Sequence, residues 1–241
     1  MRFNMQTTTI SFFRYEGFSN CIWGMKMMHE VRAPMRKQKG VIFFKPLGTG
    51  GGSGYSLYPD FSVYGLLVVW ESEQDAEAFL KSQLFNSFEA HSKELYTIFL
   101  SPVRSKGSWS GFGAWDISSS DKPLQAVAAL TRATLKLGFV IPFWKMTPRV
   151  SFEHENYKGL VFSKGVGEIP FLEQATFTVW ESVADLESFA YKTFHGQAIK
   201  RTRELDGFSE QMFTRFRPLK AIGAWNGINM VQEMLNKQHS I

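Results

Sequence analysis

Apolar runs alternate with amphipathic stretches along the chain, and their order predicts strands and helices in a repeated succession. The runs "YGLLVVW" (64–70) and "ATFTVW" (175–180) are rich in β-branched and aromatic residues, which predicts strands. Ser72-Glu-Gln-Asp75 and Ser182-Val-Ala-Asp185 follow them and resemble the capping box that starts a helix. The second helix continues with apolar residues at helical spacing: Leu186, Phe189, Ala190, Phe194 and Ala198.

The chain repeats this pattern. Adding 110 to a position in the first copy gives a matching residue in the second, without a gap. The matches include Trp70/Trp180, Phe79/Phe189, Glu94/Glu204 and Gly113-Ala114-Trp115/Gly223-Ala224-Trp225. We interpret this as a duplication with a junction near 116–123.

Each half is predicted to run β-α-β-β-α-β, the ferredoxin-like split unit, with residues 1–118 in the first half and 119–241 in the second. We expect Pro142 and Pro148 to limit the first helix of the second half. The two units are expected to pack sheet to sheet, giving an α+β fold of the dimeric α+β barrel type with helices outside.

The two copies differ in the middle of their last helix. Phe85 and Phe88 of the first copy correspond to His195 and Ala198 of the second, and Gly196 adjoins the histidine. The exchange makes room and supplies a ligand at the same place, and Gly196 predicts a helix break or a close approach.

Neutral imidazole is the commonest proximal ligand of haem iron, so His195 is our candidate iron ligand. Lys200, Arg201 and Arg203 follow within two turns and would suit the haem carboxylates. The alternative is a solvent-facing histidine on a basic helix.

Other candidate positions are less specific. Gly165 and Gly167 lie at a strand end, where the backbone could approach a cofactor. Arg132 lies on a predicted strand, where it either reaches a ligand or pairs with an acid, and pairing is favoured. The glycine-rich segment 47–55 lacks the ending of a phosphate-binding loop, which leaves a connection or a loop at a pocket mouth.

Composition narrows the class of protein. The 241 residues carry a net charge of +5, and 15% are aromatic, enough to line an apolar pocket. The single cysteine excludes an internal disulfide and suits a reducing cytoplasm. We see no nucleic-acid motif and no apolar run long enough for a signal peptide or a membrane span. The positive charge is compatible with weak attraction to an anionic membrane surface.

Four segments together resemble the spheroidene monooxygenase family, the acyclic carotenoid 2-ketolases. They are "FFKPLGTGGGSGYSLYPDFSVYGLLVVWES", "VAALTRATLKLGFVIPFWKMTP", "FSKGVGEIPFLEQATFTVWES" and "FHGQAIKRTRELDGFSEQMFTRFRPLKAIGAW". The resemblance implies an oxygen-dependent enzyme containing haem b, which would oxidise a terminal methylene of a linear carotenoid to a ketone in two hydroxylations. It also implies a small electron donor such as ferredoxin, and an iron-ligating histidine on a helix of the second half, matched here by His195.

Two other functions remain open from the sequence. One is a cofactor-free barrel monooxygenase of the antibiotic-biosynthesis type, whose pocket itself activates the substrate. The other is a non-enzymatic protein that binds haem or an apolar ligand. The oligomeric state is not fixed by any of these patterns.

Overall fold

The computed structural model describes residues 5–52, 56, 58–117, 123–155, 157–193, 196, 200–202 and 204–240. Eight strands in this part of the chain form one closed barrel in the order β1-β3-β2-β6-β7-β5-β8-β4, and the paired neighbours run antiparallel. The strands are β1 (Thr7–Tyr15), β2 (Val41–Gly50), β3 (Pro59–Trp70), β4 (Ser92–Gly107), β5 (Val127–Leu135), β6 (Leu160–Gly167), β7 (Glu173–Trp180) and β8 (Phe208–Gly223).

Helices cover the outside of the barrel, which confirms the α+β class. They are α1 (Phe18–Glu30), α2 (Arg32–Met35), α3 (Glu73–Leu80), α4 (Gln83–His91), α5 (Val140–Glu155), α6 (Val183–Lys192) and α7 (Met230–His239). Both halves follow the predicted order of strand, helix, strand, strand, helix, strand. The predicted boundary between them falls on residues 118 and 119, which lie outside the described residues.

The predicted capping serines begin α3 and α6. The Ser72 hydroxyl accepts a hydrogen bond from the Asp75 amide at 3.2 Å, and Ser182 accepts one from Asp185 at 3.1 Å. Each side chain satisfies an amide that has no partner within its own helix. The expectation that Pro142 and Pro148 limit the helix was wrong, because α5 runs through both to Glu155. Pro142 falls in the first turn, where a missing amide donor costs nothing.

The two halves are equivalent in strand register, but one sequence match was wrong. Gly223-Ala224-Trp225 corresponds to Gly107-Ser108-Trp109, at an offset of 116, rather than to Gly113-Ala114-Trp115. Gly107 and Gly223 both have positive φ, 87° and 82°, and a Cβ on either would meet a carbonyl oxygen at about 2 Å. By the same offset, Glu94 corresponds to Glu210 rather than to Glu204.

Side chains fill the interior of the barrel. Phe12, Tyr96, Phe162 and Phe177 meet at its centre, with ring centroids 5.3 Å apart for Phe12 and Phe162. An eight-stranded barrel has an interior just wide enough for such packing. A site for a large ligand is therefore to be sought on the outer face of the sheet, beneath the helices, and this face can be compared between the two halves. Within the described residues, no helix combines the length and the apolar character needed to cross a membrane.

Candidate functional site

Aromatic rings fill the outer face of the first half. Phe13 of β1 stacks on Phe88 of α4 with ring centroids 4.7 Å apart, and it meets Phe85 edge-on at 6.1 Å. Phe85 also meets Phe79 of α3 at 5.5 Å. All four rings are buried, so helices α3 and α4 are fixed to the sheet by a continuous aromatic layer.

The equivalent face of the second half has lost this layer. The strand register places Ala133 where the first half has Phe13, because each is two residues beyond the Ser11–Leu66 or Thr131–Thr176 pair. The same register replaces Tyr64, Leu66 and Val68 by small or polar residues: Gln174, Thr176 and Thr178. Side chains of alanine and threonine occupy less volume on this face than phenylalanine, tyrosine and leucine do in the first half.

Solvent exposure follows the same difference. Ser11 and Leu66 of the first half are buried, whereas the equivalent Thr131 and Thr176 are partly exposed. These two threonines face each other across β5 and β7 beneath helices that should cover them. Their neighbours on the same face, Ala133 and Thr178, are buried, so the partial exposure of the two threonines indicates an opening confined to this point of the sheet.

The support around this opening is kept. Trp180 stacks on Phe189 of α6 with centroids 5.4 Å apart, as Trp70 packs on Phe79 of α3 at 5.1 Å. The Trp180 indole N–H donates to Thr178 at 2.8 Å. The second half therefore keeps the tryptophan–phenylalanine contact between α6 and the sheet. Its side chains are smaller only at other outer-face positions of β5 and β7.

His154 is a residue of this region that the sequence pattern did not identify. It lies five residues before Gly159, as Met35 lies five residues before Gly40, and both glycines have positive φ. Its buried imidazole packs against both Trp180 and Phe189, and its Nδ1 lies 3.4 Å from the Ser163 hydroxyl. A comparison at an offset of 119 would have revealed this replacement of a core methionine by histidine.

The sequence predicted a helix break or a close approach at Gly196. α6 ends at Lys192, and Thr193 has an extended backbone. A Cβ at Gly196 would lie 2.8 Å from the Tyr191 carbonyl oxygen, so the turn needs glycine there. His195 itself and Arg203 lie outside the described residues.

The remaining predicted positions divide into two groups. Lys200 and Arg201 are exposed on the helical residues 200–202, which follow α6 in sequence. Gly165 is buried in β6, and Gly167 lies at its end. A Cβ at Gly167 would lie 2.3 Å from the Glu173 carbonyl oxygen, so the fold alone requires this glycine.

The structure places Arg132 away from the other candidate residues. Its neighbours Ala128 and Leu130 at alternate positions of β5 belong to the barrel interior, so its side chain lies on the inner face, opposite Thr131 and Ala133. The guanidinium is 2% exposed and pairs with Glu210 at 2.5 Å and Glu173 at 3.2 Å. Pairing with acids was the favoured interpretation, and we remove Arg132 from the candidate cofactor ligands.

The electrostatics of this inner cluster are asymmetric. Burial works against ionisation of Glu210, but donors from the Ser110 and Gly111 amides, the Ser108 hydroxyl and Arg132 outweigh it, so its pKa is lowered. Burial, together with the charge of Glu168, raises the pKa of Glu173. Ionisation is therefore favoured at Glu210 and disfavoured at Glu173, which makes Glu210 the stronger ion-pair partner of Arg132.

The fold defines the class of protein. The chain is similar to a solved aldoxime dehydratase, with a TM-score of 0.61, 12% identity and coverage of 90% of this chain and 82% of that one. A second aldoxime dehydratase, OxdRE in complex with butyraldoxime, gives a TM-score of 0.63 at 11% identity, covering 95% and 86%. At these identities the likeness shows a shared α+β barrel fold.

Curated relatives identify the family, whereas no family model matches the chain. The spheroidene monooxygenase of Cereibacter sphaeroides is 34% identical over 239 residues, covering 98% of this chain and 74% of that protein. That of Rhodobacter capsulatus is 32% identical, covering 92% and 94%, and that of Rubrivivax gelatinosus is 36% identical, covering 86% and 80%. The chain belongs to the spheroidene monooxygenase family, and it is an oxygenase.

Proposed function

We propose that this chain is a haem b-dependent monooxygenase that oxidises a linear carotenoid or a similar apolar polyene with O2 and electrons from an external donor such as ferredoxin. The observation that carries the proposal is the loss of the aromatic layer on the outer face of the second half. We further propose that the two halves arose by tandem duplication, and that one outer face stayed filled while the other became the site.

The filled half indicates where the proposed ligand would act. Phe85 corresponds in sequence to His195, and its ring lies against Phe13 and Phe79. The equivalents of those two rings are Ala133 and Phe189. An imidazole replacing the Phe85 ring would therefore face the space above Ala133, with Phe189 beside it.

The residues around this space suit a flat apolar cofactor with acidic edges. Ala133 and Gly165 are small residues on the sheet side, and the segment that follows His195 in sequence carries Lys200, Arg201 and Arg203, which would supply cations for carboxylates. Bound haem would supply the activation of O2. The hydroxyls of Thr131 and Thr176 face the same space, where they can orient water and hold a proton at Oγ1.

Absorption spectroscopy tests the proposal directly. Wild-type protein from cells supplied with a haem precursor should give a Soret band, and His195→Ala should lose it. His91→Ala is the matched control, because His91 stacks on Trp23 at 3.9 Å in the filled half and should not affect the band.

Three other outcomes would point elsewhere. A colourless wild type that oxidises substrate would favour the cofactor-free monooxygenase. Haem uptake without turnover in the presence of O2 and reductant would favour a binding protein. A Soret band that survives in His195→Ala but is lost in His154→Met would transfer the ligand role to the buried histidine beside Trp180 and Phe189.

A further inference from the structure

Three segments of the second half meet at one end of the barrel. The first follows β5, the second joins β6 to β7, and the third precedes β8. Backbone hydrogen bonds tie them together, from the Leu135 amide to the Leu172 carbonyl at 2.8 Å and from the Lys136 amide to the Gly207 carbonyl at 2.9 Å. The Trp144 indole N–H donates to the Phe171 carbonyl at 3.2 Å. This end is therefore one ordered surface.

Five large apolar side chains project from these segments, and we call them the apolar tip: Leu137, Ile141, Ile169, Phe171 and Leu205. Leu137 is 81% exposed and Ile141 is 69% exposed. Phe171 has a positive φ of 67°, a conformation that is unfavourable for a bulky residue. Exposed apolar side chains grouped in this way mark an interaction surface.

The charges beside the apolar tip are mostly positive. Lys145 lies one turn after Ile141, and Lys200 and Arg201 lie within two turns before Leu205, all exposed. Lys136 also adjoins the tip but pairs with Asp206, and the exposed Glu204 precedes Leu205, so the excess beside the tip is two positive charges. Apolar side chains bordered by basic ones suit the headgroup region of an anionic bilayer.

We propose that the apolar tip docks the protein on the surface of a membrane that contains anionic lipid. The side chains project singly from loops and a helix start, which suits insertion among headgroups. The tip also adjoins the proposed site, because the Ala133–Gln174 pair on the opened face lies within two residues of Leu135 and Leu172. This second step rests on the proposed function: a polyene dissolved in lipid would enter the site from the docked end.

Co-sedimentation with lipid vesicles tests the docking without any turnover. Wild-type protein should bind phosphatidylcholine vesicles containing phosphatidylglycerol more tightly than pure phosphatidylcholine vesicles, and added salt should weaken binding. Leu137→Glu should weaken it about tenfold or more, because it removes an inserted side chain and adds a repelled charge. Because Leu137 is exposed, we expect its replacement to leave the fold intact, and circular dichroism checks this.

Phe18→Glu is the matched control. Phe18 is 84% exposed at the start of α1, which is the place in the first half that corresponds to the segment after β5. Because β2 and β6 pair antiparallel, this place lies at the opposite end of the barrel from the apolar tip. The control variant should bind vesicles as the wild type does. Absence of wild-type binding, or equal loss in both variants, would overturn the proposal.

Measuring the oligomeric state distinguishes membrane docking from the alternative, in which a second copy of the chain covers the apolar tip. If Leu137→Glu converts a dimer to a monomer and vesicles bind neither protein, the apolar tip is an interface between copies and the membrane proposal is wrong. The docking and the enzymatic proposal fail separately. A protein without a Soret band can still bind vesicles, and a haem protein can fail to bind them.

Discussion

Replacing Ala133 by phenylalanine would restore to the second half the ring that Phe13 supplies to the first. If the outer face of the second half has been opened for a ligand, the new side chain should enter existing space. If the helices already close over Ala133, it should be forced into a packed core. The two possibilities predict opposite signs for the change in the free energy of unfolding.

The magnitude follows from the burial of the equivalent ring. Phe13 is fully buried and stacks on Phe88 at 4.7 Å. Burying a phenylalanine side chain is worth about 1.5–3 kcal/mol, and fixing its rotamer takes back roughly 1 kcal/mol. Ala198 offers no ring to stack on. We therefore expect Ala133→Phe to stabilise the protein without cofactor by about 1 kcal/mol, and to prevent haem uptake.

Urea denaturation of the cofactor-free protein, beside a haemin titration followed at the Soret band, measures both effects. Ala128→Phe is the control, because Ala128 lies on the inner face of the same strand, in the packed barrel core. Overpacking there should destabilise the protein by about 1–3 kcal/mol. A comparable loss in Ala133→Phe would refute the opened face, and so would normal haem uptake by that variant.

Two further substitutions test the residues that support the site and the barrel. Glu210→Gln should destabilise the protein by about 1.5–3 kcal/mol at pH 7, because the buried Arg132 loses a charged hydrogen-bond partner and keeps only Glu173. The folded-state pKa of Glu210 lies below its usual 4.5, so its stabilisation is complete above that value and is lost as the pH falls through the folded pKa. Urea midpoints measured across pH should therefore converge for the two proteins in acid. Gly196→Ala should lower both the thermal midpoint and haem uptake, since its Cβ would press on the Tyr191 carbonyl, whereas Gly138→Ala, with open space around it, should change neither.

The internal repeat predicted much of the fold because the same local signals for strands and helix starts occur in both halves. Two capping serines, two strand runs and two helices in the same order are independent signals of one unit. The slip at the last strand pair shows the limit of this comparison. "GAW" occurs at both 113–115 and 223–225, yet the equivalent tryptophans are Trp109 and Trp225, because only the turn geometry distinguishes them.

The candidate site was predictable only in part. The exchange of Phe85 and Phe88 for His195 and Ala198 is visible in sequence because the two copies align there without a gap. The loss of bulk on the sheet required the strand register, since sequence alone does not say that Ala133 faces the helices and Arg132 the interior. His154 was not identified because it corresponds to Met35 at an offset of 119 residues, whereas the comparison of the two halves used an offset of 110.

The position of the site follows from the closure of the barrel. An interior filled by rings such as Phe12 and Phe162 has no room for a polyene or a macrocycle, so a large ligand must bind outside. The antiparallel pairing of β2 with β6 and of β4 with β8 gives two equivalent outer faces. A face filled by Phe13, Phe85 and Phe88 secures its helices without a ligand, so the fold does not depend on the second face being filled. That independence would let the second half give up packing for the proposed ligand, and it predicts that the first half supplies most of the stability of the cofactor-free protein.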